Sequence, residues 1–202
     1  MTTPVDHIQS YLANLQKVLR ELPLAPVAQM LALFERAHAE ERTVFVIGNG
    51  GSAATASHMM NDLCKGPLGH DPAAEGSLAW KRFRVLALTD NVPLLTAWAN
   101  DAEFNSVFSE PLQNFARAGD VLLAISASGN SPNILAAVDV ARRMKLQVVG
   151  FTGFGGGKLA QLADLAIVVP SNEYGPVEDV HLVLDHILTS YLHAKLKAGQ
   201  GS

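Results

Sequence analysis

The sequence predicts an α/β fold in which a parallel β-sheet is covered by helices on both faces. Five short runs are apolar throughout and rich in residues that favour strands, which is typical of strands buried on both faces. These runs are Thr43–Ile47, Phe83–Leu88, Val121–Ile125, Gln147–Phe151 and Leu165–Val169. Helical segments lie between the runs, and this alternation indicates a parallel sheet. A hydrophobic fraction of 49% and a charged fraction of 17% over 202 residues agree with a well-packed globular protein.

The helical segments that follow or separate the strands differ in length. They are predicted near 52–65, 92–99, 104–118, 131–145, 157–163 and 177–197. Before the second strand, Lys65–Arg82 contains several glycines and prolines and has no clear period. A segment of that length is either a lid over a site or an ordinary surface excursion, and the sequence favours neither.

Two more helices precede the first strand. Apolar residues recur at spacings of three and four from Val5 to Leu22, which predicts an amphipathic helix that Pro23 ends. A second helix is predicted over 26–40. Residues 1–42 thus form a helical pair ahead of a sheet-containing unit at 43–198. The pair either covers the domain's own sheet or packs against copies of itself in an oligomer, and its heptad-like seam favours the oligomer.

Composition excludes several classes of protein. A formal net charge of −4 argues against a nucleic-acid-binding surface. Cys64 is the single cysteine, so the chain forms no internal disulfide, and a reducing compartment is expected. The N-terminus has no signal-peptide pattern and no apolar run approaches the ~20 residues of a membrane span. We therefore expect a cytoplasmic protein that neither enters a membrane nor binds nucleic acid.

A glycine-rich loop, Gly48–Ser52 (GNGGS), lies between the first strand and the next helix. Glycines allow backbone N–H groups to approach an anion, and the helix N-terminus favours negative charge. The loop also fits a loose dinucleotide pattern. However, a dinucleotide site needs an acidic residue roughly 20 positions later, at the end of the second strand. Here that strand ends near Asp90, about 40 positions on, which disfavours a nucleotide cofactor.

A second loop, Ser126–Ser131 (SASGNS), follows the run VLLAI and precedes a helix. Three hydroxyls and a glycine at a helix N-terminus suit a monophosphate, which offers three acceptor oxygens. Alternatively, Ser131 merely caps its helix and the other residues form a turn. Capping needs one serine and this loop has three, which favours phosphate binding.

These two loops and a histidine-bearing C-terminal helix resemble the sugar-isomerase (SIS) family, and within it the single-domain phosphoheptose isomerases. The resemblance runs from about residue 5 to 196. It implies a flavodoxin-like sheet of five parallel strands and a homotetramer with its sites at subunit interfaces. It also implies conversion of sedoheptulose 7-phosphate to D-glycero-D-manno-heptose 7-phosphate through an enediolate, for bacterial surface-sugar synthesis such as that of lipopolysaccharide.

The resemblance carries over to individual substrate-binding positions. The phosphate would be bound by the three loop serines, Ser126, Ser128 and Ser131. The sugar would be lined by the residues of the glycine-rich loop, namely Asn49, Gly50, Gly51 and Ser52. Asp101 would bind a substrate hydroxyl.

The catalytic positions depart from the family pattern. The family has a histidine and, four residues later, a glutamate, where this chain has His58 and Asp62. A spacing of four places both on one helix face. On the last helix the family has a glutamine and, eight residues later, a histidine, where this chain has Glu178 and His186. These two lie roughly 12 Å apart along a helix, so one metal between them is at the limit of reach and they can instead face different sites.

All four side chains are metal ligands in other proteins, and histidine–carboxylate sets suit zinc. The resemblance implies one zinc ion per subunit, bound by His58, Asp62, Glu178 and His186. For the isomerisation, Asp62 or Glu178 is the predicted base and His186 the predicted acid. His181, on the same helix, is placed outside the site.

Two other functions stay open. One relative in the family is a non-catalytic tetramer that binds the bacterial replication initiator, and the substitution at Asp62 keeps that role possible. The other is an isomerase or binding protein for a different sugar phosphate.

Overall fold

The computed structural model describes residues 2–65 and 81–198. Most of the predicted lid at Lys65–Arg82 therefore lies outside the described residues. The described part contains five strands and eight helices, and the predicted α/β class is confirmed.

Five parallel strands form one sheet in the order β2-β1-β3-β4-β5. They are β1 Thr43–Gly48, β2 Arg84–Ala87, β3 Val121–Ile125, β4 Gln147–Thr152 and β5 Leu165–Val168. This is the flavodoxin-like order, in which the chain reverses its direction of winding between β1 and β3. Gly48, the last residue of β1, is in register with Ile125, the last residue of β3. The loops that follow these two strands therefore start side by side.

The helices occupy the two faces of the sheet. They are α1 Pro4–Arg20, α2 Leu24–Ala39, α3 Gly51–Lys65, α4 Val92–Asp101, α5 Ser106–Phe115, α6 Pro132–Arg143, α7 Gly157–Leu162 and α8 Tyr174–Ala198. Side chains of β1 alternate between two cores. Val44 and Val46 pack with α2, α3 and α8, whereas Phe45 and Ile47 pack with α5 and α6. Both faces are apolar, which explains why the strands are continuous hydrophobic runs.

The two N-terminal helices differ in their packing. α2 buries Met30 and Phe34 completely in the chain's own core. α1 is attached to the start of α8 by the Tyr11 hydroxyl, which donates to Asp179 at 2.6 Å. On the adjacent face of this helix, Ile8 is 55% and Leu12 52% exposed. Packing of α1 against another copy of the chain stays a prediction.

α8 is the longest helix, with 25 residues. Its buried apolar residues recur at helical spacing and anchor it to the sheet: Val177, Val180, Leu184, Leu188 and Leu192. The helix begins three residues earlier than predicted, because Pro176 is accommodated in its first turn, where no backbone N–H donor is needed. No helix among the described residues is both long and apolar enough to cross a membrane.

Candidate functional site

The glycine-rich loop and the serine loop meet at the edge of the sheet where β1 and β3 end. The Asn49 amide nitrogen donates to Asn133 Oδ1 at 2.8 Å, and the Asn133 amide nitrogen donates to Asn49 Oδ1 at 2.8 Å. Asn133 is in the first turn of α6 and is only 2% exposed. This reciprocal amide pair joins the two loops. Asn49, predicted to line the sugar, is thus also a structural link.

The glycine-rich loop turns directly into α3. Gly50 has a φ of +54°, in the left-handed region that glycine adopts without strain. Gly51 lies against α8: a Cβ atom added there would be 2.8 Å from a carboxylate oxygen of Glu178. Ser52 is buried, and its backbone N–H donates to the Asn49 carbonyl at 3.0 Å. The loop therefore brings Glu178 next to the N-terminus of α3.

Two of the three hydroxyls in the serine loop face each other. Ser126 Oγ and Ser131 Oγ are 3.2 Å apart, and Ser128 Oγ accepts from the Asn130 backbone N–H at 3.3 Å. Ser131 occupies the N-cap position of α6, yet its side chain makes no capping hydrogen bond within the described part of the chain. The capping alternative therefore does not account for this serine. Hydroxyls that converge at a helix N-terminus can bind a phosphate.

Gly129 fixes the shape of the serine loop. It has a φ of +64°, and an added Cβ would overlap the carbonyl group of Gly156, in the turn before α7. The Asn130 side chain spans the same contact, since its amide donates to Ser128 O at 2.8 Å and its oxygen accepts from Lys158 N at 3.1 Å. The loop is thus held by its neighbouring turn.

A second group of polar side chains lies between α3 and α8. His58 Nε2 is 3.4 Å from His186 Nε2, and Asp62 Oδ2 is 3.4 Å from His58 Nε2 and 3.9 Å from His186 Nε2. The two imidazole rings meet edge to face, with centroids 5.4 Å apart. Both histidines are exposed, whereas Asp62 is half-buried. The structure therefore brings together three of the residues proposed from the sequence for catalysis and metal binding.

Asp185 joins this group, although the sequence analysis did not select it. One ligand atom from each of His58, Asp62, Asp185 and His186 lies within 4.8 Å of the others. Asp185 is 0% exposed, and its Oδ2 atom has no hydrogen-bond partner among the described residues. Burial, and secondarily the charge of Asp62, raises the pKa of Asp185 to about 7. Its spacing in the sequence could have identified it. Asp185 follows His181 by four residues and precedes Leu188 by three, which places an acidic side chain on the core-facing side of α8.

Two predicted residues lie elsewhere. Glu178 is half-buried beside Gly51 and is not among the four clustered side chains in the described structure. Asp101 is exposed at the end of α4, where its Oδ1 accepts from the Asn100 amide at 2.8 Å.

His181 is buried, with Nε2 3.4 Å from the Thr152 carbonyl. Burial lowers the pKa of His181 to about 4, so this ring is neutral at physiological pH.

The spacing of these contacts defines the relation between α3 and α8. Gly51 meets Glu178, and His58 meets His186. Moving seven residues along α3 therefore corresponds to moving eight along α8, so the two helices run in the same direction. The two contacts are separated by two helical turns, roughly 10–12 Å. The start of this helix pair adjoins the glycine-rich loop, and the histidine–aspartate group begins two turns further along, near the middle of both helices.

Comparison with known proteins agrees with this architecture. Residues 8–153 match the family model described as the SIS domain. A phosphoheptose isomerase of Rhodospirillum rubrum is 41% identical over 147 residues, which cover 72% of this chain and 72% of that protein. Another, from Geotalea daltonii, is 32% identical over 195 residues, covering 95% and 97%.

Among solved structures, the phosphoheptose isomerase from Neisseria gonorrhoeae superposes with a TM-score of 0.85 at 28% identity. The match covers 95% of this chain and 100% of that one. The resemblance predicted from the two loops and the C-terminal helix is therefore confirmed. The chain belongs to the SIS domain family, and its relatives there are phosphoheptose isomerases.

Proposed function

We propose that this protein is an aldose–ketose isomerase that converts sedoheptulose 7-phosphate to D-glycero-D-manno-heptose 7-phosphate. The observation that carries this proposal is the convergence of His58, Asp62 and His186 on the helix pair that starts at the glycine-rich loop. The names of the relatives support the same reaction. The substrate's phosphate and its reacting carbons lie at opposite ends of a seven-carbon chain. A binding loop and a separate acid–base group suit such a molecule.

The phosphate would be bound by the hydroxyls of Ser126, Ser128 and Ser131. The sugar would contact the glycine-rich loop, formed by Asn49, Gly50, Gly51 and Ser52, while Asp101 would bind a hydroxyl. Binding the phosphate far from the reacting carbons provides energy for orienting C1 and C2 beside the acid–base group.

Isomerisation requires a base that moves a proton between C1 and C2, and an acid that serves the neighbouring oxygens. Asp62 or Glu178 would be the base and His186 the acid. Asp62 lies within 4 Å of both histidine nitrogens, at 3.4 Å and 3.9 Å. Glu178 lies nearer the sugar-binding loop, beside Gly51. Either carboxylate can thus approach a bound substrate from the α3–α8 side.

The chemistry of the clustered donors fits a zinc ion. Imidazole nitrogens and carboxylate oxygens are among zinc's usual ligands, and four such groups lie here with one ligand atom each within 4.8 Å of the others. His58, Asp62 and His186 would bind the ion, one per subunit, with Glu178 as the fourth ligand predicted from the family pattern. A bound zinc ion would polarise the substrate oxygens and stabilise the enediolate charge.

We further propose a cytoplasmic homotetramer that serves bacterial surface-sugar synthesis. The exposed apolar side chains of α1, including Ile8 and Leu12, support association with other copies. The exposed position of Asp101 at the end of α4 supports a role for it in a neighbouring subunit's site.

The test is a coupled assay of the purified, zinc-supplemented protein with sedoheptulose 7-phosphate. His186→Ala and Asp62→Asn should each lower kcat by on the order of 10²–10⁴-fold, because each removes a proton-transfer group. His7→Ala, a histidine change on the exposed surface of α1, is the control and should leave kcat unchanged. Near-normal turnover in either site variant would contradict the role assigned to that residue.

A wild-type protein that binds sugar phosphates without isomerising this one would instead indicate another substrate or a non-catalytic role. The second candidate function is the replication-initiator-binding tetramer, favoured by aspartate standing at position 62 in place of the family's glutamate. Co-purification with the initiator, together with absent turnover, would support it.

A further inference from the structure

The carboxylate of Asp185 is fully buried but only partly satisfied. Its Oδ1 atom accepts a long hydrogen bond of 3.4 Å from the Thr189 hydroxyl, and Oδ2 has no partner among the described residues. A buried carboxylate oxygen without a donor is costly in free energy. A side chain kept in this state therefore implies a partner other than the described protein groups.

The surroundings of Asp185 indicate the chemistry of that partner. Two imidazole nitrogens, from His58 and His186, face each other at 3.4 Å, and the Asp62 carboxylate lies beside them. Two carboxylates in such proximity repel each other. A single divalent cation satisfies all four donors at once, since each has a ligand atom within 4.8 Å of the others.

Glu178 is less well placed for the same ion. Its carboxylate lies beside Gly51, at the start of α3, whereas the histidine pair is two helical turns away. Residues 178 and 186 are separated by roughly 12 Å along α8. Asp185, by contrast, immediately precedes His186 and contributes a carboxylate oxygen to the group.

We propose that Asp185 is the fourth ligand of the metal ion bound by His58, Asp62 and His186, and that Glu178 is left free to act on the sugar. This rests on the metal site in the proposed function and replaces one of its four ligands, since Glu178 was the fourth ligand expected from the family pattern. Asp62 is one methylene shorter than the family's glutamate, and the second carboxylate at 185 supplies a ligand oxygen from the opposite helix. The two acidic residues of α8 would thus have different roles: Asp185 would bind the metal and Glu178 would face the sugar.

The experiment measures metal binding directly. Metal-free wild-type protein, Asp185→Asn, Glu178→Ala and the exposed control Asp139→Asn are titrated with Zn²⁺ by calorimetry and with Co²⁺ by visible absorption. We expect Asp185→Asn to weaken metal binding by at least roughly 100-fold, beyond the range of about 10–100-fold typical of losing an outer-shell partner. Its Co²⁺ spectrum should also change, because the number of ligands changes.

Glu178→Ala and Asp139→Asn should bind both metals like the wild type, with an unchanged Co²⁺ spectrum. Alanine is used at position 178 because glutamine, the family's residue there, still offers a ligand oxygen. Three results would each overturn the proposal: a wild type that binds neither metal at this site, metal binding that is lost in Glu178→Ala but kept in Asp185→Asn, or unchanged binding in Asp185→Asn.

Two further measurements separate this proposal from simpler failures. The thermal midpoint of metal-free Asp185→Asn should equal or exceed that of the wild type, because a buried charge is removed, and its increase on adding Zn²⁺ should be reduced. If this variant misfolds, Asp185→Leu replaces the carboxylate with an apolar side chain of similar size for the same titration. Wild-type metal binding with no turnover of sedoheptulose 7-phosphate would refute the substrate assignment and leave the ligand assignment standing.

Discussion

Gly129 determines the shape of the proposed phosphate site through its own conformation and through its neighbour. Its φ of +64° lies in the left-handed region, and the carbonyl group of Gly156 occupies the space where a side chain would begin. Gly155, in the adjacent turn, also has a positive φ of +75° but has no atom within 4 Å of an added Cβ. Substituting each glycine by alanine therefore distinguishes two energetic costs, that of a side chain in the left-handed conformation and that of its contact with a neighbouring atom.

Gly129→Ala should lower the free energy of unfolding by about 3–4 kcal/mol, because both costs apply. Gly155→Ala should cost only about 1–2 kcal/mol, because it has the conformational cost alone. Urea denaturation of the two variants measures the difference. Gly129→Ala should also raise the KM for the sugar phosphate, since the serine loop must move. Equal destabilisation by the two changes would show that the contact with Gly156 does not matter.

His181 makes a pH-dependent contribution to stability. Burial lowers its pKa to about 4, against 6.5 for the exposed side chain. The unfolded chain therefore binds more protons than the native one between these values, and stability rises with pH through this window. The contribution is fully present above pH 6.5 and is lost as the pH falls toward 4.

His181→Gln should remove this dependence. The unfolding free energy of the wild type, relative to that of the variant, should fall by about 2 kcal/mol between pH 7 and pH 5. Asp185, whose pKa is raised to about 7, changes stability in the opposite sense, but both chains carry it and its contribution cancels. Denaturation curves at several pH values test this, and a constant difference between the chains would contradict it.

At the level of whole elements, α1 has two different faces. One face is attached to the domain through Tyr11, which bonds to Asp179, and through Val18, which is buried. The adjacent face carries exposed apolar residues at a spacing of four, Ile8 and Leu12. An amphipathic helix with a second apolar stripe is typical of helices that pack against another copy.

The double change Ile8→Asn and Leu12→Asn should therefore weaken self-association without unfolding the chain. Sedimentation or size-exclusion with light scattering should show a shift to lower mass at a given concentration. Ala13→Asn is the control: it is exposed, lies outside this stripe and has a similar effect on helix propensity. An unchanged mass in the double variant would show that this stripe does not form the interface.

For the molecule as a whole, the sheet could be predicted closely from the sequence. β3 has the predicted limits, and the ends of the other four strands differ from prediction by no more than one residue. Strands buried on both faces are apolar at every position, so their limits coincide with changes in composition. Helix ends were less predictable: α8 begins at Tyr174 because Gly175 and Pro176, which resemble a break, fit within its first turn.

The candidate site could be predicted only in part. His58 and Asp62 share a helix face at a spacing of four, so sequence alone places them together. His186 joins them only through the packing of α8 against α3, and the sequence analysis included it because the family resemblance places a histidine there. Asp185 was not predicted, because a single acidic residue on an apolar helix does not by itself indicate a site. Its place in the site depends on the side chains of α3 that pack beside it.

The reciprocal amide pair between Asn49 and Asn133 has a thermodynamic consequence for ligand binding. Two amide hydrogen bonds of 2.8 Å connect the glycine-rich and serine loops through protein groups alone. Because these hydrogen bonds already order both loops, the loops lose little conformational entropy when a sugar phosphate binds between them. The interaction energy of the phosphate then remains available for aligning the far end of the substrate.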